Sequence, residues 1–367
     1  MKFLCRVFLS SVPVLLLSGV LLAQSATVVH LDRSGNIKED ADVVVSQDSV
    51  KGVTGRRGSA QLNWAPGRVV SIKWRQAPSA YKKGVNAYED GDYLAAARLL
   101  QEALAGPAES YKWLPVYANY YLGKSFARGA GKPEEALAAL GKALAADAQS
   151  RFVPDIYELQ AELFLSSGEG AKAKAALQKM KDVTASLDSS YALRADMGLA
   201  RVEVRTGDAR AGLTSLMGLL SKANGDPQIT NLIRMEMGNA QVKLREFAQA
   251  EASFRNILDS KMVSDPDVLA GVCNGLGDCL FEQDRFREAA DTYSRTYAWF
   301  FDRADQRAQV GWALYRGALA LESQAGKETD ANQRELDAKY SKRLLRRAAR
   351  EFRDTRGGTE AARKLGL

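Results

Sequence analysis

The chain of 367 residues contains a single histidine, His30, and three cysteines. A Ser-His-Asp or Cys-His arrangement would have to be built on that one imidazole. His30 lies among apolar neighbours in a segment that alternates like a strand, and reads as a packed or strand-surface group. Histidine-based metal ligation fails for the same reason. Neither CxxC nor HExxH occurs, nor does a phosphate-cradling G-x-x-x-x-G-K-[ST] loop. Asp155, Glu158 and Glu162 do share a helix face, at spacings of three and four, but no set of cleft residues surrounds them. They read as a solvated face, not as an acid–base pair. A non-catalytic protein needing no metal or cofactor is expected.

Long apolar runs are also scarce. One stands at the N-terminus, where Lys2 and Arg6 precede Val7 to Ala23 and small residues follow at Ser25 and Ala26. This pattern predicts a secretory signal over residues 1–26, cleaved after Ala23 or Ala26. The run barely reaches the ~17 to 25 residues of a membrane span, which leaves an uncleaved anchor as the other reading. No cysteine sits at the expected cleavage site to take a lipid. Cys5 leaves with the signal, and Cys273 and Cys279 remain. Six residues apart on one helix, those two would lie about 9 Å apart along its axis and on different faces. A disulfide needs Cα atoms within roughly 7 Å, so two small buried thiols are expected.

From Thr27 to Trp74 apolar residues alternate in short runs at Val28–Leu31, Val43–Val45, Val50–Val53, Ala60–Leu62 and Val69–Trp74. Turn signals separate them at Ser34-Gly35-Asn36, Gln47-Asp48, Arg57-Gly58 and Pro66-Gly67. Five short strands predict a small SH3-like or Sm-like β domain over residues 27–75. Gln76 to Ser79 form a short linker. If Trp64 and Trp74 were exposed together, this domain could bind cell-wall polymer or polysaccharide, with the rest of the chain positioning it.

After the linker the period becomes helical and repeats. A small residue recurs at Ala96, Ala136, Ala173, Gly212, Ala250 and Ala289, at intervals of 40, 37, 39, 38 and 39 residues by subtraction. A large residue stands four positions on, at Leu100, Leu140, Leu177, Leu216, Phe254 and Tyr293. Small residues let antiparallel helices approach, and the large ones fill the space beside them. One such unit cannot bury its own face, so neighbours must stack.

Gly84 to Ala103, and Leu276-Gly277 through Leu280 and Phe286 to Ala289 and Tyr293, resemble the tetratricopeptide repeat (TPR) family. The resemblance implies a mostly α protein: a right-handed α-solenoid of about six to seven helix pairs over residues 80–356, with a C-terminal tail over 357–367. The interval exceeds the family's ~34 residues, predicting longer helices or enlarged loops. Unit four is weak, with Gly207, Ala209 and Gly212 in place of the aromatic and alanine. A seventh, degenerate unit is expected over 304–353, its helices separated by the polar run Glu322 to Lys339.

The family implies ligands on the concave groove formed by the first helix of each unit. The expected groove residues are Tyr81, Tyr88, Tyr117, Tyr120 and Lys124, then Asp155, Glu158 and Glu162, then Arg194, Arg201 and Arg205, and Asn239. This aromatic, acidic, then basic surface suits an extended peptide segment of a protein partner. Tyr117, Tyr120 and Tyr121 have helix–helix packing as their other reading. The carboxylate-clamp subtype expects Lys and Asn where Tyr81 and Val85 stand, so that form of chaperone-tail binding is not implied.

Charge is concentrated at the C-terminus. From Lys339 to Lys364 there are ten basic residues against Glu351, Asp354 and Glu360, a balance of +7. With +2 from the signal, the whole-chain +7 leaves about −2 for residues 27–338. Arg343, Arg346, Arg347 and Arg350 form a basic patch for an anionic lipid headgroup, an acidic protein or a wall polymer; the other reading is the solvated face of a capping helix. No nucleic-acid partner is expected. The run from Leu344 to Leu365 is similar to terminal repeats of bacterial envelope TPR proteins. That likeness implies a periplasmic, envelope-associated scaffold or adaptor.

Overall fold

The structure, a computed structural model, describes residues 25–367 except 107–110, 130–131, 188, 224–226, 261–262 and 264. The expected signal therefore lies outside the described residues, apart from its last two positions. The chain divides into a β unit and a helical unit.

The β unit has five strands: β1 (Ser25–Leu31), β2 (Ile37–Ser49), β3 (Gly52–Arg57), β4 (Ala60–Trp64) and β5 (Val69–Trp74). Their order in the sheet is β4-β3-β2-β1-β5. β1 pairs antiparallel with β2, where Leu31 faces Ile37, and with β5, where Ala26 faces Trp74. The five strands expected for this domain are thus present as one antiparallel sheet. Val28, Val43, Val53 and Ile72 fill the interior.

β2 begins at Ile37 and runs to Ser49, straight through the expected Gln47-Asp48 turn. Its first half, Ile37–Asp42, is polar and largely exposed. No alternation there announces a strand. Because β1 starts at Ser25 and Ala26 is buried, cleavage after Ala23 would leave the strand whole, whereas cleavage after Ala26 would remove its first two pairs.

The helical unit opens with α1 (Ser79–Glu89) and α2 (Tyr93–Ala105), then α3 (Leu114–Gly129) and α4 (Pro133–Ala146). It continues with α5 (Val153–Ser166), α6 (Gly170–Thr184), α7 (Ser189–Thr206) and α8 (Ala209–Leu220). The later pairs are α9 (Pro227–Lys243) with α10 (Phe247–Asp259), and α11 (Pro266–Glu282) with α12 (Phe286–Phe300). α13 (Arg307–Lys327), α14 (Ala331–Glu351) and α15 (Arg356–Leu365) complete it. Each helix packs on the next, and the first helices also pack on one another, α1 on α3 through to α11 on α13. This is an α-solenoid.

The sequence interval has a backbone counterpart. The residues that open the second helices, Asp92, Lys132, Glu169, Asp208, Glu246 and Arg285, adopt one conformation, φ −81° to −114° and ψ 56° to 73°. They recur at the same intervals of 40, 37, 39, 38 and 39. The residue before them is left-handed at Gly91, Gly168 and Gly207, and also at Arg245 and Asp284. Asp92 and Asp208 also accept the first free amides of their helices, from Ala95 and Ala211.

The small positions Ala96, Ala136, Ala173, Ala250 and Ala289 are fully buried. Leu100, Leu140, Phe254 and Tyr293 each meet a glycine of the preceding helix: a Cβ on Gly123 would lie 2.6 Å from Leu140, and one on Gly277 would lie 2.6 Å from Tyr293, whereas Leu177 meets Gly198 of the following helix. Unit four follows the same logic more tightly. A Cβ on Gly212 would stand 2.8 Å from the Ala200 carbonyl, so glycine at this position reflects a closer helix crossing.

The last unit departs from expectation in two places. Glu322 to Lys339 is not a separator, since α13 and α14 run through most of it and only residues 328–330 lie between them. Residues 357–367, expected as a C-terminal tail, lie mostly in α15, which packs on both preceding helices. Its start is so close to α13 that a Cβ on Gly357 would collide with the Gly311 carbonyl. Cys273 and Cys279 are free and buried, and burial pushes their thiols up to about 11 and about 12.

Candidate binding surface

The first helices bring most of the expected groove residues into one connected series, but as partners of one another. Arg194 of α7 donates to Asp155 at 2.9 Å and through Nε to Glu158 at 3.0 Å, both on α5. Arg201, one helical repeat further on α7, joins Glu162 of α5 at 3.2 Å and Glu236 of α9 at 2.8 Å. Glu236 then accepts from Asn239 at 3.4 Å. The expected acidic and basic stretches are thus largely neutralised within the protein. Burial pushes the Glu158 carboxyl above its ordinary value even with Arg194 beside it. For Arg201 the adjacent Glu236 is the main reason its guanidinium holds its proton more tightly.

The aromatic end is of mixed character. Tyr81 and Tyr117 are buried, each with its ring edge-on to Trp113, at 5.0 and 5.5 Å. They hold helices together and are not groove residues. Tyr120 is also buried, stacked on Phe152 at 4.1 Å, but its hydroxyl reaches the series by donating to Asp155 at 3.4 Å. Tyr88 is partly exposed and meets Tyr121 edge-on at 5.4 Å.

Lys124 sits between these rings, its Nζ 5.2 Å from the centre of Tyr88 and 5.1 Å from that of Tyr120. It donates to the Tyr120 hydroxyl at 3.5 Å and has no carboxylate at ion-pair distance among the described residues. Burial, helped by nearby Arg128, lowers its pKa to about 8. Arg205, at the far end of α7, is exposed and likewise unpaired among the described residues.

Three contributors were not expected from sequence. Glu236 follows Arg201 by 35 residues, close to the interval that relates Arg194 to Glu158, and that spacing could have revealed it. Asp267 and Asp305 had no such signal; they act electrostatically on Tyr88 from α11 and from the 3₁₀ turn Ala304–Gln306. The approach has a steric counterpart, because Gly91, in the turn after α1, lies against Ala304 with no room for a Cβ. The first and last units of the array therefore touch.

Elsewhere, Trp64 and Trp74 of the β unit are each 8% exposed, so neither ring is offered to a sugar. His30 donates or accepts at 2.9 Å with Asp40 and lies 5.7 Å from the Trp64 ring. The basic residues Arg343, Arg346 and Arg350 are exposed on α14, and Arg347 is half-covered by Tyr297.

Residues 235–308, from α9 into α13, match the tetratricopeptide repeat family model. No curated protein matches the chain. A tetratricopeptide repeat protein of Parabacteroides merdae is 16% identical over 71% of this chain and 97% of its own, with a TM-score of 0.41. A thermophilic TPR protein of Thermus thermophilus is 20% identical over 54% and 98%, with a TM-score of 0.41. A Rap protein complexed with competence and sporulation factor is 12% identical over 78% and 95%, with a TM-score of 0.49. The match identifies residues 235–308 as tetratricopeptide repeat, and the helix-pair turn found in that segment recurs through the rest of the array.

Proposed function

We propose that this tetratricopeptide-repeat protein is a non-catalytic scaffold that holds an extended segment of a protein partner along its first-helix face, in the bacterial periplasm. One observation carries the reading. Tyr88 and Lys124 stand partly exposed with no carboxylate at ion-pair distance among the described residues, while Arg194 and Arg201 of α7 pair with carboxylates of α5 and α9. A tyrosine supplies contact area and a hydroxyl, and a lysine between rings supplies a cation for a peptide carbonyl or carboxylate. The neutralised ladder beside it fixes the spacing of the helices without competing for that partner. The periplasmic location rests on Lys2, Arg6 and the apolar run Val7 to Ala23.

The test is site-specific photo-crosslinking in cells, with a benzophenone amino acid replacing Tyr88 on the inner face or Leu94, which is 65% exposed. Discrete protein adducts from position 88 and none from position 94 are expected, in the periplasmic fraction. Adducts from position 94 alone, or none from position 88, would overturn the groove reading. Recovery in the cytosolic fraction would overturn the location.

A further inference from the structure

The outer face of the last helix pair has a composition that a solvated cap does not require. Residues 338–350 of α14 hold six cations, Lys339, Lys342, Arg343, Arg346, Arg347 and Arg350, and no carboxylate. An ordinary exposed helix intersperses both signs, as α12 does with Arg285, Arg287, Glu288 and Asp291 around its start. Lys339, Lys342, Arg343 and Arg346 are exposed and pair with no carboxylate among the described residues. Arg350 touches Glu351 at 3.2 Å but is 81% exposed, and Arg347 lies 4.7 Å over the Tyr297 ring.

Apolar side chains continue the same face. Leu336 and Tyr340 stand 43% and 51% exposed, at helical spacing before Arg343 and Arg347. At the end of α12, Phe301 is 56% exposed with its ring 6.0 Å from Tyr297, and Trp299 is 50% exposed. The depression among the cations is lined by α14 alone, through Lys339, Arg343, Arg346, Arg347, Arg350 and Glu351. It has one wall and no opposite side.

We propose that this face docks on an anionic phospholipid surface, with Leu336, Tyr340 and Phe301 entering the interface and the cations on headgroup phosphates. A peptide groove needs two walls, whereas a lipid surface needs only a plane. The cations from Lys339 to Arg350 span about 16 Å of helix, and a membrane supplies both negative charge and an apolar layer at that scale. The face belongs to α12 and α14, second helices of their units, so it is independent of the first-helix groove.

The experiment is flotation of the full chain with vesicles of phosphatidylcholine alone or mixed with phosphatidylglycerol. Flotation with the mixed vesicles only, weakening as salt rises, is expected. The variant Arg343→Glu/Arg346→Glu/Arg350→Glu should bind about a hundredfold more weakly. Phe301→Ser should weaken binding at every salt concentration. The milder triple Arg→Gln variant and circular-dichroism melts separate lost binding from lost fold. Failure to float with anionic vesicles, a folded charge variant floating like the parent, or tighter binding to soluble polyglutamate than to vesicles would each overturn the proposal, the last in favour of an acidic protein.

Discussion

Arg201 on α7 and Glu236 on α9 meet at 2.8 Å with only 8% of the Glu236 side chain exposed. The pair joins two units through groups that face the inner surface of the array. Removing one member leaves the other desolvated and unmatched, the costly way to disrupt a buried ion pair. Arg201→Ala should therefore lose about 3 kcal/mol of stability. The double variant Arg201→Met/Glu236→Leu should recover most of it. Urea unfolding of the two, followed by far-UV circular dichroism, checks both outcomes.

Ala250 marks the point where α10 crosses its neighbours, and it is completely buried. Tryptophan at this position forces the pair apart, and overpacking of this extent should exceed about 3 kcal/mol. Ala250→Trp is expected to unfold the array as one cooperative step. A melt matching that of the parent would contradict the packing role given to the recurring small residue.

Arg245 occupies the left-handed position that glycine takes at Gly91, Gly168 and Gly207. A side chain there costs about 1 kcal/mol. The contacts of Arg245 offset only part of this, since its guanidinium is 78% exposed, 4.0 Å from Glu282 and 5.6 Å over the Phe247 ring. Arg245→Gly should raise stability by up to about 1 kcal/mol, read as a shift in thermal midpoint.

Lys124 gives a pH dependence whose sign follows from its lowered pKa of about 8, against an ordinary 10.5. Between those values the unfolded chain carries the proton that the folded chain has lost, so stability rises with pH across this window. Below it the full penalty of keeping the partly buried ammonium charged is present. Lys124→Met should therefore stabilise the protein at neutral pH, and the advantage should fade as pH climbs towards 10.5. Urea midpoints of parent and variant across that range provide the measurement, and destabilisation at neutral pH would show that the two tyrosine rings outweigh desolvation.

The array was legible because its signal is periodic. Ala96 and its counterparts share one interval with the turn backbone, and that interval survives even where Arg245 and Asp284 replace glycine. Features set by distant partners left no such mark. Residues Glu322 to Lys339 look like a linker because they are polar, yet Asp337 is 1% exposed and held at 2.6 Å by Arg287, fifty positions earlier. The helix within 357–367 left no periodic mark, because Gly357 and Gly358, which let α15 lie against its neighbours, are explained only by those neighbours. Among the expected groove residues, helical spacing put Arg194, Arg201 and the carboxylates on one face of their helices, and the structure joins them there. Spacing within one helix could not tell that their partners would be each other.

The contact between Gly91 and Ala304 sets the first and last units of the helical array edge to edge along a seam. A chain bound beside Tyr88 and Lys124, as proposed, would lie next to that seam and would enter or leave lengthwise or by parting it. Residence time then depends on how readily the two edges separate, independently of the strength of the inner contacts. A bulkier residue at the seam, as in Gly91→Val, would hold its two edges apart and change the speed of exchange more than the affinity.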